Sequence, residues 1–329
     1  MHMSTLGCRT LFASTIFIAA SFGTAFAFEP GATECLAPSN PGGGWDFTCR
    51  QVGKLLYDLK IVPSPVQVSN MAGSSGGVAY AAVVHKRNND NNLIIAASSA
   101  TTTRLGQRGY PGMNMNQVRW VGAVGADYGA ISVAAKSDIK SLPELVARIK
   151  ADPSFPIGGG SGIGAWDHLK MLLVAKAAGI ADVRKVKHVA FDGGADALTQ
   201  LIGGHLQAVT GDISEVTGFA ESGHVRVLAV LAPNRLPGAL GSIPTAKEQG
   251  IDVVTANWRG FYVPGGMSDD AYNFWVAAVK KVYDSKEWKA VMANSGLMAL
   301  DLSGAEFRTF VADQVTKTEV ISKEIGIIK

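Results

Sequence analysis

Charged residues are sparse in this sequence of 329 residues, of which they make up 17%. Lysine and arginine number 30 against 27 acidic residues, and no block of basic residues occurs in the chain. A protein that binds nucleic acid needs a basic surface to neutralise phosphates, so we expect no nucleic-acid partner. Apolar residues, by contrast, reach 47%, and the length allows two domains of ordinary size.

The motifs of several enzyme classes are also missing. No phosphate loop ends in Gly-Lys-Ser/Thr, and no Gly-x-Gly-x-x-Gly run precedes an acidic residue by about 20 positions. A secreted hydrolase with Ser161 as nucleophile is an alternative, but Ile163 stands where a nucleophile elbow requires glycine. The histidines after position 27 lack the close spacing of metal ligands: His85, His168, His188, His205 and His224. We therefore expect no catalytic residues, no metal site and no cofactor.

Long apolar runs are confined to the start of the chain. Arg9 precedes an apolar stretch at 11–22, and Ala25-Phe26-Ala27 fits the small-x-small pattern of a cleavage site. The stretch is shorter than the roughly 20 apolar residues that span a bilayer. Residues 1–27 are therefore predicted to be a signal peptide, and the mature protein is expected to be exported.

Cysteine is rare, with three residues in the chain. Cys8 lies within the predicted signal peptide, which leaves Cys35 and Cys49. A close pair in an exported protein predicts a disulfide bond, here closing a ring of roughly 15 residues. The alternative is a pair of free, buried thiols.

Apolar, β-branched runs alternate with helix-type patterns almost to the end of the chain. Strands are predicted at 66–68, 93–96, 118–121, 130–134, 155–157, 188–191, 206–209 and 225–230, and helices at 78–85, 142–150, 169–178 and 195–202. This alternation predicts an α/β fold with mainly parallel sheets covered by helices. Two similar segments, 130–136 and 260–266, are interpreted as crossings between domains. They divide the mature chain into one domain of residues 28–129 plus 256–329 and a second of residues 130–255.

Two glycine-rich loops are the main candidates for a binding site. Gly43, Gly44 and Trp45 lie in the first, between an apolar run and a helix pattern, and Ser161 to Ala165 lie in the second, in the other predicted domain. A helix that begins at a glycine loop exposes backbone N–H groups and the positive end of its dipole, which together bind anions. Either loop alone is equally consistent with a tight turn. Two of them in different domains favour an anion-receiving cleft.

Other polar segments follow predicted strands. Ser98, Ser99 and Thr101 follow one strand, and Asp192 precedes a helix. Ligands in α/β proteins bind beyond the carboxyl ends of strands, so these residues are expected to line the remainder of the cleft. Asp46 is assigned to the scaffold, because a free carboxylate would repel an anionic ligand.

At these loops the sequence resembles the TctC/Bug family, the periplasmic solute-binding components of tripartite tricarboxylate transporters. The motifs that carry the resemblance are Pro41-Gly42-Gly43 with Asp46, the stretch from Asn70 to Gly77, Ser161-Gly162-x-Gly164 ending in His168-Leu169, Gly193-Gly194-x-x-Ala197-Leu198, Arg226 to Val230, Pro244 to Gly250, and Trp258-x-Gly260-Phe261 with Pro264. Ser74 and Ser75 depart from the pattern, since they replace small apolar residues. The Cys35/Cys49 pair resembles only a subset of the family.

The resemblance implies a two-lobed periplasmic-binding-protein fold of type II, a Venus flytrap with two crossover segments that closes on a ligand without catalysing a reaction. It implies that one carboxylate of a small organic acid is held between the two loops, partly through bridging water. The expected ligand-binding residues are Gly43, Gly44, Trp45, Ser98, Ser99, Thr101, Ser161, Gly162, Ile163, Gly164, Ala165, Asp192 and Arg259. Arg259 is expected to pair a second or third carboxylate bidentately, and the alternative is a surface or hinge arginine. The expected partner is a membrane permease of the tripartite type, served by a monomeric receptor. The alternative partner is the ectodomain of a sensor kinase.

Overall fold

The structure, a computed structural model, describes residues 28–329. The predicted signal peptide, residues 1–27, lies outside the described residues. The strands are β1 Glu34–Ala37, β2 Gln67–Asn70, β3 Leu93–Ser98, β4 Val118–Ala134, β5 Ile157–Gly159, β6 His188–Ala190, β7 Ala208–Asp212, β8 Val225–Val230 and β9 Ala256–Pro264. The α-helices are α1 Gly44–Asp58, α2 Gly77–Lys86, α3 Ser99–Gly106, α4 Leu142–Ala151, α5 Trp166–Ala177, α6 Gly194–Ile202, α7 Ile213–Glu221, α8 Asp269–Asp284, α9 Lys286–Ser295 and α10 Gly304–Glu324.

Within residues 28–329, nine strands form one continuous sheet in the order β2-β1-β3-β9-β4-β7-β5-β6, with β8 also pairing with β4. The strand β4 joins two parts of it. Up to Tyr128 it pairs with β9, and from Gly129 it pairs with β7. We call β1, β2, β3, β9 and the first part of β4 the N-terminal half-sheet. The central half-sheet comprises β5, β6, β7, β8 and the remainder of β4.

The sheet is mixed. The pairs β1–β2, β1–β3, β5–β6 and β5–β7 are parallel, as strand–helix alternation predicts. The pairs β3–β9, β4–β7, β4–β8 and β4–β9 are antiparallel. β4 and β9 are the strands in which the chain passes between the half-sheets. The carboxyl ends of the parallel strands β1, β3, β5 and β7 lie in the region where the halves meet.

Each half-sheet has helices on its faces and its own apolar core. In the N-terminal half, α8 buries the stripe that its sequence predicts, including Trp275, Val279 and Val282. In the central half, α4 and α5 bury their apolar positions against β7 and β8, among them Leu145 and Leu172. The residual surface of a half-sheet is thus polar mainly at its strand ends.

Several element boundaries differ from the sequence prediction. The spacing Ser303-x-x-Glu306 is typical of a capping box, but the hydroxyl of Ser303, the N-cap residue of α10, makes no hydrogen bond with the helix. The strand predicted at 155–157 instead runs from Ile157 into the glycine loop. Gly158 is needed inside this strand because a Cβ atom there would lie 2.3 Å from the side chain of Leu206. The first glycines of the second loop therefore serve close packing rather than a turn.

The predicted disulfide bond between Cys35 and Cys49 is present, with a Cα–Cα distance of 5.6 Å. Both cysteines are fully buried, and the bond joins β1 to α1 across the first glycine loop. In the chain-entropy account, a ring of this length stabilises the fold by about 3 kcal/mol. The bond fixes the start of α1 relative to the end of β1.

Among the described residues, none of the helices combines the length and the apolar character needed to cross a membrane.

Candidate functional site

A cavity of about 40 Å³ lies where the two half-sheets meet. Its walls come from both halves and are mostly small, polar or charged. The lining residues are Ser39, Gly43, Gly44, Trp45, Ser98, Ala100, Gly160, Ser161, Trp166, Asp167, Gly193, Gly194, Asp212, Glu215, Asn257 and Arg259. Ligand pockets for small molecules usually have about 300 Å³ or more, so the cleft is closed in this conformation.

The structure brings part of the predicted residue set to this cavity. Gly43, Gly44, Trp45, Ser98, Ser161 and Arg259 line it. Gly162, Ile163 and Asp192 line a neighbouring open groove, and Gly164 lines another. Ser99, Thr101 and Ala165 are buried behind the walls, where Ser99 donates to the carbonyl of Ala256 and accepts from the amide of Trp258. That these residues bind a ligand stays a prediction.

The first glycine loop ends at the start of α1, where Gly43 is the N-cap residue. The backbone N–H of Gly44 donates a hydrogen bond of 2.7 Å to Oε1 of Glu215, which belongs to α7 of the central half. The other oxygen, Oε2, accepts from the amide of Asp212 at 3.2 Å. The helix start thus binds a carboxylate, as its geometry predicts, and in this conformation the carboxylate is supplied by the protein itself.

Glycine is required on both sides of this contact. A Cβ atom on Gly44 would lie 2.2 Å from Nη1 of Arg259, and one on Gly194 would lie 2.7 Å from Oε1 of Glu215. Any larger residue at either position would displace a charged side chain from the cleft. The glycines therefore admit close approach by Arg259 and Glu215 as well as exposing backbone donors.

The donors of the second loop also have internal acceptors. The N–H of Gly162 donates to Oγ of Ser75 across the cleft at 2.8 Å, and the N–H of Gly164 donates to Nδ1 of His168 at 2.9 Å. The hydroxyl of Ser161 accepts from the amide of Asp167 at 2.9 Å. His188 contacts the carbonyl oxygen of Ser161 rather than its hydroxyl. Ser161 therefore lacks the histidine contact that would activate a nucleophile.

At the cavity lies a cluster of ionisable side chains, which we call the charged cluster. Its buried members are Asp127, Asp167, Lys170, Asp212 and Arg259, and its sixth member, Glu215, is partly buried. Lys170 is fully buried, and its Nζ lies 2.6 Å from Asp212 and 2.8 Å from Asp167. The Nη2 atom of Arg259 lies 2.9 Å from Asp127 and 3.0 Å from Asp212. The four carboxyl groups thus face two cations.

Burial and the excess of carboxyl groups over cations shift the pKa values of the charged cluster. Burial, reinforced by the neighbouring Asp212, raises the pKa of Glu215 to about 7. Burial also raises the pKa of Asp127, although Arg259 opposes the shift. For Asp212, the effect of burial is outweighed by Lys170 and Arg259, which hold its pKa below the usual value. Glu215 consequently changes charge near neutral pH.

Three residues that line the cavity each carry a buried polar atom without a hydrogen-bond partner among the described residues. These atoms are Oγ of Ser39, Nε1 of Trp166 and Nε of Arg259. Buried polar atoms normally have partners, because leaving one unpaired costs about 1–3 kcal/mol. All three groups can donate a hydrogen bond, so they are suited to an oxygen atom of a ligand.

The rim of the cleft contains unusual backbone geometry. Ser74 and Ser75 have φ values of 53° and 52°, in the left-handed region that most residues avoid. Tyr110 donates a 2.6 Å hydrogen bond to the carbonyl of Ser75 and so holds this conformation. This backbone conformation directs the Ser75 hydroxyl toward the N–H of Gly162. Strain of this kind concentrates at functional sites.

Sequence reasoning missed Asp127, Asp212, Glu215 and Asn257. The spacing Asp212-x-x-Glu215 after a strand is typical of a helix start and could have located α7. The strand prediction stopped at 209, whereas β7 continues to Asp212. No local pattern shows that Glu215 reaches across to Gly44, since the two residues are 171 positions apart.

A sequence profile of the tripartite tricarboxylate transporter family receptor, TctC, matches residues 50–327. The chain belongs to this family. TctC receptors are periplasmic solute-binding proteins rather than enzymes. Within residues 28–329, no group of three or more His, Cys, Asp or Glu side chains has the arrangement of a metal site.

Individual relatives are distant. Protein BugT of Bordetella pertussis is 24% identical over 320 residues, which cover 96% of this chain and 95% of BugT. A UPF0065 protein of Cupriavidus necator is 26% identical over 209 residues, or 64% of this chain and 62% of that protein. The second match therefore spans less than two thirds of the relative.

Solved TctC-type structures share the fold. BugD superposes with a TM-score of 0.82 at 20% identity, covering 91% of this chain and 98% of BugD. MatC from Rhodopseudomonas palustris with bound malate gives 0.76 at 19% identity, covering 88% and 98%. The R. palustris protein Rpa4515 with adipate gives 0.80 at 20% identity, covering 90% and 97%. These likenesses confirm the predicted periplasmic-binding-protein fold.

Proposed function

We propose that this TctC protein is a periplasmic receptor that captures a small organic acid in its cleft and passes it to a tripartite-type permease. The observation that carries the proposal is the contact between Gly44 N–H and a carboxylate oxygen at 2.7 Å. It is consistent with a helix start adapted to the ligand group expected for the family. Charge-assisted hydrogen bonds of this type contribute about 1.5–3 kcal/mol each.

In this proposal the two half-sheets are the cores of two lobes, residues 28–129 plus 256–329 and residues 130–255. They would open and close by bending of β4 and β9, the strands that pass between them. Opening would separate Gly44 from Glu215 and Gly162 from Ser75. Hinge motions of this kind are absorbed by a few residues where elements end or cross.

The bound acid would place one carboxylate at the start of α1, opposite the loop at 161–165. The unpartnered Nε1 of Trp166 and Nε of Arg259 would donate to its oxygens. Arg259 is already paired with Asp127 and Asp212, so we propose that it contributes Nε rather than a bidentate grip on a second carboxylate. An aliphatic acid with two carboxylates fits the malate and adipate of neighbours with the same fold.

Export by residues 1–27 would place the receptor in the periplasm, where it would meet the permease as a monomer. The family to which the chain belongs supports the transporter partner.

Isothermal titration calorimetry of residues 28–329 with a panel of mono-, di- and tricarboxylates tests the function. We expect at least one dicarboxylate to bind with one molecule per chain. The same acid should raise the melting temperature, because a ligand at about 100 times its Kd adds about 2.7 kcal/mol of stability. A panel in which no acid binds would reject the proposed function.

A further inference from the structure

We infer that the carboxylate of Glu215 substitutes for the ligand carboxylate at the start of α1, so that an acid binds only by displacing it. The inference rests on the proposed function and concerns which acids the site accepts. Its basis is the position of the Glu215 carboxylate, which lies between a helix start of the N-terminal half and a helix start of the central half.

The contact has the features of a bound ligand rather than of a surface ion pair. Glu215 contacts Gly44 through an oxygen atom 2.7 Å from the amide nitrogen, and its second oxygen is also held. No cation of the charged cluster lies within ion-pair distance of Glu215, because Lys170 and Arg259 pair with the three aspartates. Backbone donors therefore take the place of a cation.

A reciprocal contact closes the opposite side of the cleft. There the N–H of Gly162, in the central half, is bound by Oγ of Ser75 from the N-terminal half at 2.8 Å. Ser75 is held for this role in the left-handed backbone region. Each half thus supplies an oxygen atom to the backbone donors of the other. These two contacts hold the closed cleft together with the hydrogen bonds of Asn40 to Asp192 and Asp196 and of Gln107 to Gly164.

The cavity that remains is about 40 Å³ and holds only a few water molecules. An organic acid cannot enter it while both contacts persist. Ser39, Trp166 and Arg259, which line the same cavity as Glu215, each carry an unpartnered buried atom. Ser39 and Arg259 have only 4% and 3% of their surface exposed, which marks them as built into the site. An acid that displaces Glu215 gains these atoms as additional partners.

This arrangement selects the class of acid. A tethered carboxylate competes at an effective concentration on the order of mM, which a free acid with one carboxylate cannot readily exceed. An acid with a second polar group gains further contacts with Trp166 and Arg259 and can compensate for losing the Glu215 contact. Glu215 therefore sets an affinity threshold that simple monocarboxylates fail to reach and that dicarboxylates or hydroxy acids pass.

The variant Glu215→Gln tests the inference with little structural change. Glutamine keeps the length of the side chain and can still accept from the amide of Asp212, since glutamine is also found at this position of capping boxes. It removes the charge, and neutral hydrogen bonds are about half as strong as charge-assisted ones. The matched control is Glu144→Gln, which alters the exposed glutamate at the same position of the first turn of α4, where its carboxylate accepts from the amide of Lys140.

Calorimetric titration with propionate, succinate and malate is the first readout. If Glu215 occupies the helix start in about nine molecules of ten, the apparent Kd of every acid is raised about tenfold. We expect Glu215→Gln to tighten binding of all three acids by about tenfold and to make propionate binding measurable. Glu144→Gln should leave all three affinities unchanged. Equal or weaker binding by Glu215→Gln would overturn the inference.

Hydrogen exchange of the peptide that contains Gly44, measured without added acid, is the second readout. Protection in the wild-type protein that is reduced at least several-fold in Glu215→Gln supports the contact, and equal exchange in both proteins overturns it. If no acid binds either protein while this difference is present, the receptor function fails but Glu215 still holds the cleft closed. The two failures are therefore distinguishable.

Discussion

Lys170 is the residue on which the charged cluster depends. Its ammonium group is fully buried and donates to Asp167, Asp212 and the carbonyl of Gly211. Burial alone would lower the pKa of Lys170, but the two aspartates raise it above the ordinary value, so the group stays charged. It neutralises carboxylates that water cannot reach.

We predict that Lys170→Met lowers the free energy of unfolding by about 3–5 kcal/mol, because it leaves buried carboxylates without their partner. Urea denaturation followed by circular dichroism measures the change. Lys176→Met, on an exposed face of the same helix, is the control and should shift the value by less than about 0.5 kcal/mol. Equal effects of the two substitutions would show that the cluster does not stabilise the fold.

Glu215 gives stability a pH dependence of defined sign. Its pKa is about 7 in the folded protein against 4.5 for the free side chain. A carboxyl group with a raised pKa stabilises the fold below its unfolded pKa and loses that contribution as pH rises through the folded value. Charged groups on the surrounding elements are Asp212 on β7, Asp167 and Lys170 on α5, Arg259 on β9, Asp127 on β4, Asp46 on α1 and Asp196 on α6.

We therefore predict that, between pH 4.5 and 7, the wild-type protein loses stability relative to Glu215→Gln, by a total on the order of 2 kcal/mol. Paired denaturation curves across this range measure the difference. His168, whose burial lowers its pKa to about 4, acts in the opposite direction but is common to both proteins and cancels. A difference that does not vary with pH would show that Glu215 titrates normally.

At the scale of elements, the start of α1 and the strand β9 approach each other through a glycine. Because a Cβ atom on Gly44 would lie 2.2 Å from Arg259, alanine there forces the guanidinium away from Asp127 and Asp212. We predict that Gly44→Ala destabilises the protein by more than about 2 kcal/mol and weakens acid binding.

The control for this substitution is Gly218→Ala, in the helix α7. A Cβ atom on Gly218 would meet nothing within 4 Å, so alanine should be neutral or stabilising by about 0.5–1 kcal/mol. Differential scanning calorimetry compares the two variants. Similar melting temperatures for both would show that the approach of Arg259 to α1 does not require glycine.

Elements whose signals are local were predictable from the sequence. The apolar stripe of α8, the start of α4 at Ser141 and the cysteine pair each depend on residues that are close in sequence or on composition. The boundaries of β5 and β7 were wrong by two or three residues. Close packing of Gly158 against Leu206, and the pairing of β7 with β4, decide these boundaries, and both involve residues distant in sequence.

At the scale of the whole molecule, the position of the cleft was predictable but its chemistry was not. Helix starts and strand ends are indicated by residues close together in the sequence. Gly44, Trp45 and Ser98 could therefore be assigned to the candidate site, and they line the cavity. The charged cluster draws on β4, α5, β7, α7 and β9, and only the complete fold brings these together. A sequence that predicts an anion site cannot show that one of its own carboxylates reaches it.

The central claim is that the start of α1 binds the carboxylate of an organic acid in exchange for that of Glu215. The measurement that tests it most directly is a crystal structure of the protein with the tightest-binding acid of the calorimetric panel. We predict a carboxylate oxygen of the acid within about 3 Å of the Gly44 nitrogen, with the Glu215 side chain turned away. An acid bound elsewhere, with Glu215 still on Gly44, would contradict the account.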